Sequence, residues 1–169
     1  MTREGALALT AIAVLALVAV LAWAWWRRSR RDAGLRAPVG DAPAAARVIS
    51  TFAALYVATT RHGEPLERLA ITGLGFRSKA DVTVTDAGVA LDLTGQPRVF
   101  LPVERIADVA QATVAIDRVV ERDGLVRLSW RPDDATVVDS YLRPQDASAR
   151  ALADAVTGIL PQNQTGTRA

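Results

Sequence analysis

Hydrophobic residues are spread along this chain in three different patterns. From Ala6 through position 26 (ALALTAIAVLALVAVLAWAWW) they are nearly continuous, with no charge and one hydroxyl, Thr10. At about 1.5 Å per residue such a run makes a helix of roughly 31 Å, about the thickness of a bilayer core. From Phe52 onward they form short segments broken by turn signals every eight to twelve or so residues, which predicts antiparallel strands. After Asp146 the period changes again. Leu152, Val156, Ile159 and Leu160 fall on one face of a helix, which Pro161 ends.

Within the middle region, residues 52–60 (FAALYVATT) predict a strand, 60–65 (TRHGEP) a turn and 69–71 a short strand or turn. Residues 76–85 predict a strand whose end alternates, Val82 and Val84 against Thr83 and Thr85. Asp86-Ala87-Gly88 turns the chain into Val89, Leu91 and Leu93, and residues 94–97 turn it again into a strand at 98–101. From Asp108, Ala110, Ala112, Val114 and Ile116 alternate with Gln111, Thr113, Ala115 and Asp117. Asp123-Gly124 supplies the positive-φ positions of a tight hairpin. Val126, Leu128 and Trp130 follow on one face, which makes Trp130 a core residue. After a turn at 132–134, residues 136–143 make the last strand, and Asp146 is placed to cap the final helix. The expected fold is mainly β: an N-terminal transmembrane helix, then about seven antiparallel strands as a barrel or sandwich, its open end capped by a C-terminal helix.

The first run ends in Trp23, Trp25 and Trp26 and is followed by Arg27, Arg28, Arg30 and Arg31. Indoles suit the boundary between lipid tails and headgroups, and the arginines are held on the cytoplasmic side by the positive-inside bias. A cleaved signal peptide fits poorly, because the start is nearly neutral and bulky indoles make a bad cleavage site. The expected organisation is an anchor at 1–26, a basic Pro/Ala-rich linker with little fixed structure at 27–46, a domain at 47–161 and a disordered polar tail at 162–169. The first residue then lies outside the plasma membrane and the domain in the cytoplasm.

Charge sharpens this picture. Residues 1–36 hold six Arg against Glu4 and Asp32, a balance of +4, so the rest carries −2 within the total of +2. A mildly acidic domain argues against nucleic acid as a partner. The absence of cysteine excludes disulfides and thiolate metal sites.

The stretches LYVATT (55–60), GLGFR (73–77), VTVTDAGVAL, FLP (100–102), DGLVRLSW and DSYLR resemble the single-pass membrane proteins of actinobacteria that carry a pleckstrin-homology-like (PH-like) domain. These are often loosely labelled as export or transport proteins. The resemblance covers nearly the whole chain. It implies a PH-like barrel and points to no site, since the motifs are strand and turn signatures.

Candidate chemistry is sparse. His62 is the one histidine and reads as a solvent-facing loop residue, and Glu64 and Glu67 beside it do not make a metal site. Arg61, Arg68, Arg77 and Lys79 occupy the region where a lipid-binding PH domain grips phosphates, but Glu64, Glu67 and Asp81 dilute them, which disfavours phosphoinositide recognition. No catalytic residue, cofactor or metal is expected. The expected function is a membrane-anchored scaffold that binds a protein at the inner membrane face. The alternative is an accessory subunit of a transport or envelope-assembly complex, acting through its alanine-rich transmembrane helix.

Overall fold

A computed structural model describes residues 3–32, 34–115, 118–119 and 124–161. The chain divides into two units, Met1–Gly34 and Leu35–Ala169.

The first unit is helix α1 (Arg3–Asp32), 30 residues or about 45 Å long. None of its described residues joins a hydrophobic core, and from Leu7 to Trp26 its described large apolar side chains are all exposed. Among the described residues no helix is long and apolar enough to cross a membrane.

The second unit is organised by β1 (Val48–Arg61), a strand of 14 residues. Its first part pairs with β3 (Ser78–Thr85) from Val48 to Tyr56, and its second part with β10 (Val138–Pro144) from Ala54 to Arg61. A bulge between Tyr56 and Ala58 bends it where the two pairings overlap. On one side the sheet continues from β3 to β4 (Gly88–Leu93) and β5 (Val99–Pro102). On the other it continues from β10 to β9 (Leu125–Trp130) and β6 (Ile106–Ala112). Every ladder is antiparallel, and β5 and β6 do not pair, so the sheet is a half-barrel. A short strand, β2 (Glu64–Arg68), pairs with the end of β1.

Helix α2 (Ala149–Thr157) closes the apolar interior with Ala149, Leu152, Ala153 and Val156. Of the predicted face, Leu152 and Val156 are on it. The helix ends at Thr157 with Gly158 as its C-cap, so Ile159 and Leu160 pack partly buried beyond its end and Pro161 is not what stops it. Its cap is Ser148, whose Oγ accepts from the Ala151 N–H at 3.1 Å. Asp146 is too far from the first helical residue to do this. Its carboxylate instead accepts from the Ala53 N–H, fastening the helix approach to β1.

The interior contains a chain of polar groups. Tyr56 Oη donates to the Leu74 carbonyl and shares a hydrogen bond with Thr59 Oγ1, each at 2.8 Å. Thr59 Oγ1 shares another with Ser140 Oγ at 2.7 Å, and Trp130 Nε1 donates to Ser140 Oγ at 2.9 Å. Trp130 is fully buried, as its alternation predicts. The bulge lets β1 aim both Tyr56 and Thr59 inward, which a regular strand would not do at a spacing of three.

Four expectations need correction. Residues 27–46 are not a loose linker. Helix α1 runs to Asp32, and the following segment lies on the half-barrel: Val39 bridges Val99, the Phe100 N–H donates to the Pro38 carbonyl, the Gly40 N–H donates to the Arg98 carbonyl, and Ala37 is buried. Those contacts satisfy the free edge of β5, a gain invisible in a Pro- and Ala-rich sequence. Residues 60–65 contain only a two-residue turn, His62-Gly63, because Gly63 at φ 75° reverses the chain directly into β2. Residues 69–71 form no strand; Leu69 and Ile71 are instead buried as loop residues. Finally, the connection from β6 to β9 is longer than the tight hairpin turn expected before Val126. Ala112 pairs with Leu125, and the intervening chain carries a small ladder of β7 (Val114–Ala115) and β8 (Arg118–Val119). Ile116, Asp117, Asp123 and the tail at 162–169 lie outside the described residues.

Two measurements check this architecture. At Gly88 (φ 152°) an added Cβ would sit 2.2 Å from the Leu101 carbonyl oxygen, whereas at Gly95 it meets nothing within 4 Å. Gly88→Ala is therefore expected to cost about 3 kcal/mol or more in urea unfolding, and Gly95→Ala about 1–2 kcal/mol for its positive φ. Burial also raises both tyrosines above their ordinary pKa of 10.0, Tyr56 strongly. The folded state then holds the neutral phenols, so their contribution is complete below pH 10 and is lost as pH rises beyond it. Ultraviolet titration should show little tyrosinate at pH 10 in the folded chain and half-ionisation near that pH in guanidinium.

Candidate functional site

The anchor residues singled out from sequence all fall in α1. Trp23, Trp25 and Trp26 are 56%, 72% and 49% exposed. Helical spacing of four places Arg27 and Arg30 one turn beyond Trp23 and Trp26. The two guanidinium carbons lie 5.5 and 4.1 Å from the respective ring centres, within cation–π range. Each stacked pair is one amphipathic plate, apolar toward the helix middle and charged toward its C-terminal end. Ala6, Arg28 and Arg31 lie on the same helix, their side chains outside the described residues.

In the half-barrel the structure brings together groups that the sequence leaves apart. His62 is half-exposed on the β1–β2 turn, and its Nδ1 donates to Asp139 Oδ1 at 2.8 Å. Asp139 is 1% exposed. Its carboxylate also accepts from Ser129 Oγ at 2.6 Å and from the Gly63 N–H at 3.2 Å. His62 is solvent-facing on a turn, as its sequence predicts, but it has a partner: pairing of Thr60 with Asp139 places the turn over β10, and a buried carboxylate needs donors. With Nδ1 as the donor, Nε2 of the neutral ring is the acceptor nitrogen. Asp139 and Ser129 were not legible as partners of His62, since strand register, not sequence distance, joins them. An aspartate in the middle of an otherwise buried strand was the one available signal.

The remaining candidates disperse. Arg61 pairs with Glu67 at 3.0 Å, Arg68 reaches the Val57 carbonyl, Arg77 is exposed just ahead of β3 and Lys79 is exposed within it. Among the described residues no group of three or more acidic, histidine or cysteine side chains is placed to hold a metal.

The two sheet edges differ. The β5 edge is covered by the chain's own residues 38–40. Among the described residues β6 has a strand neighbour on one side only, β9, and α2 packs against it. An extended segment laid along β6 would meet that open side next to α2.

The carboxylate cluster makes a measurable demand. Asp139→Asn places an amide donor among three donors and is expected to cost about 2–4 kcal/mol in urea unfolding. His62→Ala should cost about 1 kcal/mol or less, because the half-exposed ring is shared with water. Equal losses would mean that the imidazole, not Ser129 and the backbone, carries the carboxylate.

Comparison with known proteins gives a family. A model described as "Bacterial PH domain-like" matches residues 34–157. No curated protein matches. Among solved structures, the C-terminal domain of an unknown protein from Leishmania infantum is similar, at 11% identity and a TM-score of 0.46. That match covers 70% of this chain and 88% of the other. The family match takes in the half-barrel, α2 and the docked segment ahead of β1, and on that ground the chain belongs to the bacterial PH domain-like family.

Proposed function

We propose that this protein is a membrane-anchored, non-catalytic interaction module, with α1 in the bilayer and the PH-like domain binding another protein at the inner face. A PH-like domain is typically a non-catalytic binding domain. The observation that carries the anchor is the exposure of α1: its described large apolar side chains, from Leu7 to Trp26, contribute to no core. In water such a surface carries a large unfavourable free energy, whereas lipid tails remove it. The uncharged sequence 6–26 lies wholly within α1, and 21 helical residues at about 1.5 Å each match a bilayer core of about 30 Å. The Trp–Arg pairs at its C-terminal end supply a boundary, and their charge favours the cytoplasmic leaflet. This agrees with the resemblance to actinobacterial single-pass proteins. For the domain, the β6 edge beside α2 supports strand addition by an extended segment of a protein partner. Tethering raises its effective concentration toward partners on the same membrane.

Two experiments test the parts separately. The full chain should resist alkaline carbonate extraction from membranes, and its domain should be digested by protease in inverted vesicles but not in intact spheroplasts. Digestion from outside would overturn the orientation. A photo-crosslinker at exposed Gln111 on β6 should capture a partner that one at exposed Ala135 does not. Capture that survives replacement of 6–26 by an unrelated span supports the domain as binder. Loss of capture on that replacement would favour the helix as the contact, and so the accessory-subunit reading.

A further inference from the structure

Strand β5 has neighbours of two different kinds. On one side β4 pairs with it continuously, from Gly88 with Pro102 to Leu91 with Val99. On the other lies a strap, residues 35–41, that forms no strand of its own. It meets β5 through an isolated bridge of Val39 with Val99. The Phe100 N–H donates to the Pro38 carbonyl at 3.0 Å, and the Gly40 N–H to the Arg98 carbonyl at 3.1 Å. A second isolated bridge joins Arg36 to Thr72. Val39 is 67% exposed. Asp41 reaches Arg98 at 3.3 Å with its own side chain 81% exposed, a weak tie in water.

Much of what lies beneath the strap is arranged without it. Arg98 is gripped from the half-barrel, its Nε and Nη2 donating to the Asp92 carboxylate of β4 at 2.6 and 2.9 Å. Phe100 stands between Val99 and Leu101, both in the core, and belongs to neither core cluster, so alternation sets it on the outer face. The inward share of the strap is small: Ala37 is buried in the core, and Leu35 packs partly buried against it. With the strap away, β5 would still be held by β4. It would present a free carbonyl at Arg98, a free N–H at Phe100, an ordered guanidinium with Nη1 open, and a small apolar gap in the place of Ala37.

We infer that the strap is a displaceable stand-in for a ligand, and that β5 is a second docking edge for an extended segment of a partner protein. The strap itself shows what such a segment carries. Apolar residues two apart, the second of them small, take the places of Leu35 and Ala37, and a carboxylate four residues later takes that of Asp41. Strand pairing supplies the affinity and these side chains the selection. The strap leads toward β1 through a turn closed by the Ala46 N–H and the Pro43 carbonyl. Exchange of straps between two copies would open that turn in both chains, whereas a partner's segment needs one strap to move. This edge is separate from β6 and needs no membrane.

The probe is a fluorescein-labelled peptide copying residues 34–42, added to the full-length chain in detergent. The chain has no cysteine, so Val39→Cys with Val99→Cys, at bridge positions a disulfide can span, locks the strap on oxidation. Ala37→Asp opens it by setting a charge where the core receives a methyl group. In fluorescence anisotropy the peptide should bind the opened chain about tenfold more tightly than the unaltered one, whose closed strap lowers affinity by the open fraction. The oxidised lock should bind none, and reduction should restore binding. Asp41→Lys in the peptide should weaken binding about threefold. In the unaltered chain the Phe100 amide should exchange about tenfold faster than those of Val82 and Val84 in β3, a strand paired on both sides.

Equal protection of these amides would overturn the inference, as would binding that survives in the oxidised lock. An opened chain that unfolds cooperatively yet ignores the peptide would do the same. A lock that links two chains on a non-reducing gel would give the edge to a second copy and also overturn it. Partner capture from Gln111 should be the same in the oxidised and reduced lock, so failure here leaves the β6 reading standing.

Discussion

The second unit depends on one strand satisfying both of its edges with different partners. Strand β1 gives its first part to β3 and its second part to β10, and around residues 54–56 it is paired on both sides. Without that overlap the chain would make two separate sheets, each with an extra open edge and half a core. The bulge after Tyr56 is the device that permits it, because an extra residue bends the strand and changes which side chains face inward. Everything inside follows, from the polar chain through Tyr56, Thr59, Ser140 and Trp130 to the helix that closes the apolar face.

A half-barrel made this way has two loose ends, and the protein treats them differently. Residues 38–40 pair with β5 and end its sheet with the chain's own backbone. The β6 edge is left beside α2. The segment that closes the β5 edge thus belongs to the same compact unit as the half-barrel.

Polar groups follow a similar division. Inside, hydroxyls and an indole N–H satisfy one another without any formal charge, which keeps desolvation small. The buried charge, Asp139, lies on the other face of the same strand, held by three donors under the β1–β2 turn. That cluster looks like catalytic furniture when its residues are named, yet both the imidazole and the Ser129 hydroxyl are spent on one carboxylate. It ties a turn to a strand, which suits a family of binding domains.

Much of the fold was legible in the amino-acid order because the strands and α2 carry local signals. Alternation identified β3, β4, β9 and β10 to within a few residues, since one face of each must meet the core. The apolar run beginning at Ala6 dictates a helix with no polar face, and the spacing at 152–156 dictates one with a single apolar face. Legibility ended where an outcome depends on what lies across space. Proline- and alanine-rich residues ahead of β1 carry no periodic signal, yet pair with β5 because an edge is there to receive them. His62 finds Asp139, and Ser148 rather than Asp146 caps α2, through register and position. Local sequence determined which segments would bury a face. Only the tertiary structure decided which backbone edges and polar groups met, because that choice belongs to pairs of residues as much as 93 positions apart.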